Sequence, residues 1–527
     1  MKTSILGLLG ALAFTIAGAT VTQAQQPKRG GTLQFAISAE TPHYDCHGSD
    51  TYATLHFSAP FYNTLLRFNL AKFPDVEGDL AQSWTVAPDL MTYTFKLHQG
   101  VKFHDGTPLT SADVKATYDR LRNPPSGVVS TRQATFADIG TIETPDASTV
   151  IFKMKAVNAS MLEHFASPWN CIYAAKDLAA DPNAPKTKIN GTGPYIFVEH
   201  VKGGHVAGKR NDNYFKPGLP YLDGFKGVFT LQAAAMLNAI QGGQLLAEYR
   251  GISPAERDRL VSAMGDKIRI EESSWTLNLL VSFNTEKKPF DDVRVRQALS
   301  LALDRWAGGA ALSKISIMKH VGGIMRPGSE WALPEADLEQ QLGYARDIEK
   351  SRAKARELLQ QAGVENLTVK LFNRTVSEPY TPAGIFVINE WRKIGVAAEH
   401  LQVETRTYFD SLVAGSFEVA IWPLTEPADD PSAQLYGFIT NKASTLSYSR
   451  HNDAKLDDLF ERQQRTLDPV QRLRLVQEAD RYALAQAYSV PFLWWNRIVV
   501  HDKKIKGWTM SPSHFQGTDL TNVWLEP

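Results

Sequence analysis

Charge of one sign is not in excess in this sequence: Lys and Arg together number 56, and so do Asp and Glu, among 527 residues. No overall field remains to draw a polyanion, which sets aside nucleic acid and an acidic bilayer as general partners. Cysteine is nearly absent, with Cys46 and Cys171 alone, so a disulfide-dense scaffold is excluded. No internal repeat, coiled-coil heptad or low-complexity tract occurs, and no apolar run reaches the roughly 20 residues needed to span hydrocarbon. Catalytic signatures are missing as well. There is no Gly-x-Ser-x-Gly elbow and no His-Glu-x-x-His helix, and the expectation is a protein that is not an enzyme and holds no cofactor. Gly203 to Arg210 nearly matches a phosphate-binding loop, but Arg210 stands where Ser or Thr would hold Mg²⁺, so a Gly-Gly hairpin turn is the better reading.

What is present points to a folded, exported chain. The hydrophobic fraction is 43% and the charged fraction 21%, enough to build cores and stay soluble, and the length suggests two to four domains. Residues 1–24 read as a secretory signal: Lys2, an apolar run from Ile5 to Ala19, then Thr22-Gln23-Ala24 with small residues at the cleavage positions. No cysteine follows the cleavage point closely, so a freely diffusing periplasmic protein is expected rather than a lipid-anchored one. An oxidising compartment permits Cys46 and Cys171 to pair; two buried or reactive thiols are the other reading, and both stand at this point.

Periodicity supplies the elements. Gly31 to Ser38 alternates apolar and polar residues as a strand does. A polar loop spans Glu40 to Ser49, and Ala53 to Leu66 carries helical spacing. Ser83 to Val86 and Tyr93 to Leu97 read as a hairpin across Pro88-Asp89. Thr110 to Asp113 opens a helix that stops before Pro124-Pro125. Further on, helices at Ile348 to Ala362 and Ile385 to Ile394 alternate with strands at Leu367 to Phe372 and Glu418 to Trp422, and Leu277 to Phe283 is a strand before a helix capped by Asp291-Asp292. That alternation makes an α/β layer.

Two groups of residues are candidates for a site. His43, Cys46 and His47 offer borderline or soft metal donors, which keeps a metal or metal-chelate receptor as the alternative function, although no second ligand pair at metal spacing accompanies them. The same loop, through Tyr44, Asp45, Cys46 and His47, is better placed to touch an organic ligand. Aromatics concentrate late in the chain. Trp391 sits in a helix and reads as core; Trp422 precedes Pro423, Pro427 and Pro431, so the chain is expected to leave its strand there and let the indole line a cleft. Trp494 and Trp495 fall on opposite faces of a strand, one toward core and one toward a pocket.

Several segments then resemble, in order, the family 5 extracellular solute-binding proteins, the dipeptide, oligopeptide, nickel and opine receptors of ABC importers. They are Phe103 to Val114 (FHDGTPLTSADV), Gly191 to Tyr195 (GTGPY), Asn211 to Tyr214 with Pro220 to Gly224, and Phe283-Asn284-Thr285 leading into Pro289 to Ala298. The resemblance implies an α/β, two-lobed fold of the type II periplasmic-binding-protein kind, with an extra α/β domain inserted in the first lobe. It places the first lobe at 25–60, 190–280 and 495–527, the inserted domain at 61–189 and the second lobe at 281–494. It also implies a periplasmic, monomeric receptor that closes on a small organic solute and delivers it to a membrane ABC permease. Ligand contacts are then expected from Tyr44, Asp45, Cys46 and His47, and from Trp275, Asn278, Trp422, Thr425, Glu426, Trp494 and Trp495. One departure stands out. Where the peptide receptors carry an Asp that pairs with the peptide's α-ammonium, an ungapped count back from Asp430-Pro431 puts Pro427. The amine anchor is lost unless Glu426, Asp429 or Asp430 replaces it, and a buried ammonium without a partner costs several kcal/mol.

Overall fold

The computed structural model describes residues 26–49, 51–376, 378–425, 428–441, 444 and 446–527. The segment read as a secretory signal lies outside the described residues, as do Glu426 and Pro427. Among the described residues no helix is long and apolar enough to cross a membrane.

The alternating stretch after residue 31 forms β1 (Thr32–Ile37). Helix α1 (Tyr52–Ser58) is shorter than its apolar spacing predicts, because Pro60 turns the chain into a single 3₁₀ turn before residue 62. A separate four-stranded antiparallel sheet follows, from β2 (Ala81–Val86), β3 (Thr92–Leu97), β4 (Ile139–Asp146) and β5 (Thr149–Met154), in the order β2-β3-β5-β4. Helix α2 (Ser111–Arg122) packs on it, and Thr110 and Asp113 make the reciprocal capping box that their spacing predicts. Phe95, Tyr118, Phe152 and Phe165 form this layer's own core.

A larger sheet gathers β1 with β6 (Tyr195–Val201), β7 (His205–Arg210), β8 (Gly224–Phe229), β9 (Ala247–Glu248), β10 (Ile268–Phe283), β11 (Thr368–Arg374), β12 (Ala397–Val403), β13 (Val419–Thr425) and β14 (Ser489–Asp502). Their order is β12-β11-β13-β10-β14-β9-β1-β8-β7-β6. The Gly203-Gly204 stretch is the β6-β7 hairpin turn, with Gly203 at φ 67°.

Strand direction decides where a site falls. β10 and β14 are long antiparallel partners whose register slips between Ser274 and Asn278, so their early and late halves serve different ends of the sheet. On one side β1, β8 and β9 run parallel to one another and to β10; on the other, β11, β12 and β13 run against it. The carboxyl ends of both parallel sets therefore point at the same waist, where β10 and β14 cross. Ligands of open α/β sheets bind outside strand carboxyl ends.

Separate cores lie either side of the waist. Leu33, Phe35, Phe61, Phe225 and Tyr249 form one. Beyond the crossing, α3 (Val293–Leu301), α4 (Ile348–Gln361) and α5 (Tyr380–Arg392) cover one face of the sheet. Helices α6 (Pro431–Leu435), α7 (Ala454–Arg465) and α8 (Pro469–Gln486) cover the other. Asp292 alone caps α3, accepting from the Arg294 N–H. β13 does not end at Trp422: it continues through Pro423 to Thr425. Proline is tolerated there because β11 pairs only with the start of the strand, at Val419 and Ala420.

Candidate functional site

At the waist, β9 ends in Glu248 and the chain turns through Tyr249 and Arg250. Buried Arg497 on β14 holds this turn, donating to the backbone carbonyls of Tyr249 and Arg250 and, from Nη1, to those of Ser511 (2.9 Å) and Ser513 (3.2 Å) in the C-terminal tail. Burial brings the Arg497 guanidinium down to about 9. The Glu248 carboxyl accepts the N–H groups of Arg250 (3.1 Å) and Gly251 (2.6 Å), and burial pushes it up to about 7.

An aromatic series crosses from this turn to the far set of strands. The Arg250 guanidinium lies 4.5 Å from the Tyr52 ring centre and 5.6 Å from that of Trp275. Trp275 meets Trp495 edge-on at 5.4 Å, and Trp495 meets Tyr380 at 6.4 Å. Arg374, the last residue of β11, closes the series: its Nη1 donates to the Tyr380 hydroxyl (3.0 Å) and its Nη2 to Thr405 Oγ1 (3.1 Å). Among the described residues neither Arg250 nor Arg374 forms an ion pair, and the Nε of each is buried without a hydrogen-bond partner. The same holds for Trp495 Nε1, Thr276 Oγ1 and both amide atoms of Asn278, and for Ser38, Thr230 and Tyr249 at or just beyond the ends of β1, β8 and β9. Buried polar atoms are ordinarily paired. Their gathering at the waist, at the ends of β1, β8, β9 and β11 and in the crossing halves of β10 and β14, makes it the candidate surface for polar groups from outside the chain.

The residues expected from sequence fall into distinct environments. Asp45 is fully buried and salt-bridged to Arg120 at 2.6 Å, and it also accepts from the Tyr173 hydroxyl. Cys46 is joined to Cys171, which decides between the two cysteine readings. His47 contacts the Cys171 carbonyl and Arg120 through its two nitrogens, and burial takes it down to about 3. These residues fasten the loop to the inserted layer. The same facts do not favour the metal alternative: the sulfur is spent in the disulfide, and among the described residues no group of three or more His, Cys, Asp or Glu side chains is placed to hold an ion. Tyr44 stacks on Phe57 at 4.8 Å and bonds His200 Nδ1 through its hydroxyl.

Trp422 is buried with its indole N–H on Ser282 and its ring edge-on to Tyr448, so it is a core residue rather than the exposed cleft wall that a strand ending there implied. Trp494 and Trp495 are both buried, on opposite faces. Trp494 donates to the Gly323 carbonyl at 3.0 Å, whereas the Trp495 indole N–H has no hydrogen-bond partner among the described residues. Trp275 donates to His514 Nδ1 at 3.0 Å, and Asn278 lies across from Trp494 and Leu424. Thr425 ends β13 opposite Leu277, at the waist. Of the three acids weighed as amine anchors, Glu426 lies outside the described residues, while Asp429 is engaged with Arg326 at 2.6 Å and Asp430 with Arg472 at 3.1 Å. Sequence reasoning missed Arg250, Arg374 and Tyr380. Arg374 was findable as the residue just past an expected strand, whereas Arg250 follows a strand of two residues with no periodic signal.

A cavity of about 350 Å³ opens elsewhere, between residues 59–79 and the C-terminal tail. Three of its charged walls are paired within the chain, Arg67 with Glu77 and Asp79 with Lys216, and Asp519 accepts the Thr521 N–H, so the waist is the stronger candidate.

The family described as bacterial extracellular solute-binding proteins, family 5 Middle, matches residues 75–445. A dipeptide-binding protein of Pseudomonas aeruginosa is 28% identical over 494 residues, covering 88% of this chain and 89% of that protein. Among solved structures, the ABC transporter-associated periplasmic binding protein DppA from Helicobacter pylori, in complex with peptide STSA, superposes with a TM-score of 0.82 at 22% identity, over 95% of this chain and 99% of that one. AgaA from A. tumefaciens R10, in complex with agropinic acid, gives 0.79 at 24% identity over 94% and 99%. These likenesses establish a shared α/β fold.

Proposed function

This chain belongs to the bacterial extracellular solute-binding proteins of family 5, and we propose that it captures a small, peptide-like organic solute at the waist and hands it unaltered to an ABC permease. The fold is that of the type II periplasmic binding proteins, and the single observation that carries the site is the set of unpartnered buried polar atoms at converging strand ends. Relatives named for dipeptides and a structural neighbour holding a four-letter peptide support the substrate class; nickel is not favoured.

We divide the chain into a first lobe of 25–60, 190–280 and 495–527, an inserted domain of 61–189, and a second lobe of 281–494. The separate cores and the long shared strands β10 and β14 support that division, with the register slip at 274–278 as the hinge. Trp275, Asn278, Trp495 and Thr425 are the ligand contacts we retain from the sequence, to which Arg250, Arg374 and Tyr380 are added. A periplasmic address and a monomeric state complete the reading.

The test is calorimetry of the purified chain against a panel of peptides, acylated peptides, opines, sugars and aromatic acids. Saturable binding of one class, with the compound recovered unchanged, is the expected result. Chemical conversion of the bound compound, or no binding across the panel, would overturn it.

A further inference from the structure

We propose that the contact between the four-stranded layer and helices α6 to α8 is a proton-operated latch on closure, held while the Glu163 carboxyl is protonated and released as it ionises. This rests on the receptor reading, in which that contact joins the two lobes, and adds a control over when they part.

Residues 157–165, which follow β5 and end in the short helix Met161–Phe165, carry the layer's side of the contact. The Ala159 N–H donates to the Gln464 carbonyl at 2.9 Å, Ser160 Oγ meets Ser432 Oγ at 2.9 Å, and Ala428 is buried in the layer's own core. Arg472 of α8 is the cation at the centre. It donates to Ser160 Oγ (2.7 Å), Gln463 Oε1 (3.2 Å) and Asp430 Oδ2 (3.1 Å). Glu163 enters the same place with nothing to meet it: its Oε2 is buried and has no hydrogen-bond partner among the described residues. The charges facing it are Asp430, which has already taken Arg472, and the exposed Glu330. The other cation of the contact, Arg465, is spent on Asp138.

An ionised Glu163 is therefore a negative charge without a cation of its own in a dry contact, whereas the neutral carboxyl asks for none. Burial first, and then the Asp430 charge, raise this carboxyl to about 7. Asp430, despite its burial, is kept below the ordinary aspartate value by Arg472 and His164, so the proton goes to Glu163. Once the surfaces part, water returns Glu163 to an ordinary glutamate value of about 4.3. The contact thus takes up a proton on forming, is fully favoured below that value and loses this support as pH rises through about 7. His164, on the same helix, is lowered by burial and faces Asp430, Arg472 and Asp138. It pulls the other way, since its protonation below about 6.5 opposes the contact.

The experiment uses the full mature chain without ligand, carrying nitroxide labels on Lys153→Cys in the layer and Leu467→Cys after α7. Both positions are exposed, and the native cysteines are occupied by the disulfide. Electron-spin distance distributions should show contact and separated populations. Their ratio should fall about tenfold from pH 6 to pH 8.5 beyond any change in Glu163→Gln, which keeps the side chain's shape and removes the titration. Glu163→Ala, which also lacks the charge, should follow Glu163→Gln. A parent distribution that stays fixed between the two pH values, whether all contact or all separated, overturns the latch. So does one that moves equally in the parent and both variants, which would give the titration to His164. Because no ligand is present, either failure leaves the receptor reading standing, and a failure of the solute panel would remove that reading without touching these distances.

Discussion

Arg465, in the last turn of α7, pairs with Asp138, just before β4, at 2.8 Å, and Ser160, after β5, meets Ser432 of α6 at 2.9 Å. These contacts join segments 327 and 272 residues apart in sequence and clasp the layer of the four-stranded sheet to α6 and α7.

Loosening that clasp should favour an open form. Arg465→Ala removes a partly exposed ion pair, which contributes up to about 1 kcal/mol, a shift of roughly fivefold in the closed population. Small-angle scattering without ligand should show a larger radius of gyration than the parent, and ligand affinity should fall by a similar factor. An unchanged radius together with unchanged affinity would show that the contact does not govern closure.

The disulfide ties the loop at Cys46 to Cys171 across 125 residues of sequence. Cross-linking a loop of that length restricts the unfolded chain, so reduction, or Cys46→Ser with Cys171→Ser, should cost about 2–5 kcal/mol in denaturant unfolding. Ligand affinity should change little, because Asp45 and His47 keep the loop fastened to Arg120. A large loss of affinity would give this loop a direct role in contact.

Much of the architecture was legible because it is local. The capping box at Thr110 and Asp113, the Gly203 turn and the alternation of β1 each show within a few residues. The site was not local. Arg497 reaches Ser511 and Ser513 of the tail and the turn after β9, and neither the tail nor a two-residue strand carries a period. Pro423 misled for a related reason: it breaks a strand only where a neighbour needs its N–H, and the length of β11 decides that. Whether an indole is core or site was equally hidden, since Trp494 and Trp495 differ in partner and not in sequence setting.

That pair gives a contrast to measure. Trp494→Phe removes an indole N–H that serves the Gly323 carbonyl, leaving a buried acceptor unpaired, and should lower stability by about 1–3 kcal/mol. Trp495→Phe removes an N–H with no protein partner and should cost less stability but weaken ligand at least about fivefold. Equal effects of the two on both thermal unfolding and calorimetric affinity would refute the assignment of Trp495 to the ligand surface.

Asn278 extends the contrast. Its amide is fully buried with both polar atoms unpartnered, so the free protein bears their desolvation without return. Asn278→Leu should leave the free protein as stable or raise its melting temperature, while reducing affinity. A marked loss of stability would mean that the amide serves the fold.

Glu248 links the site to pH. Burial raises its carboxyl to about 7, well above the ordinary glutamate value, so the folded chain binds this proton more readily than the unfolded chain does. The sign follows: the stability contributed is complete below the unfolded value near 4.3 and is lost as pH rises through about 7, by up to about 3 kcal/mol. Glu248→Gln keeps an acceptor for the Arg250 and Gly251 N–H groups and removes the titration, so its unfolding free energy should lose this slope between pH 5 and 8. Opposing slopes from His47 and His56, both held near 3 by burial, act below about 6.5 and appear in parent and variant alike, so the difference between the two isolates Glu248. A difference that stays flat with pH would show that the carboxyl is ionised throughout, with Arg250 and Arg497 neutralising it.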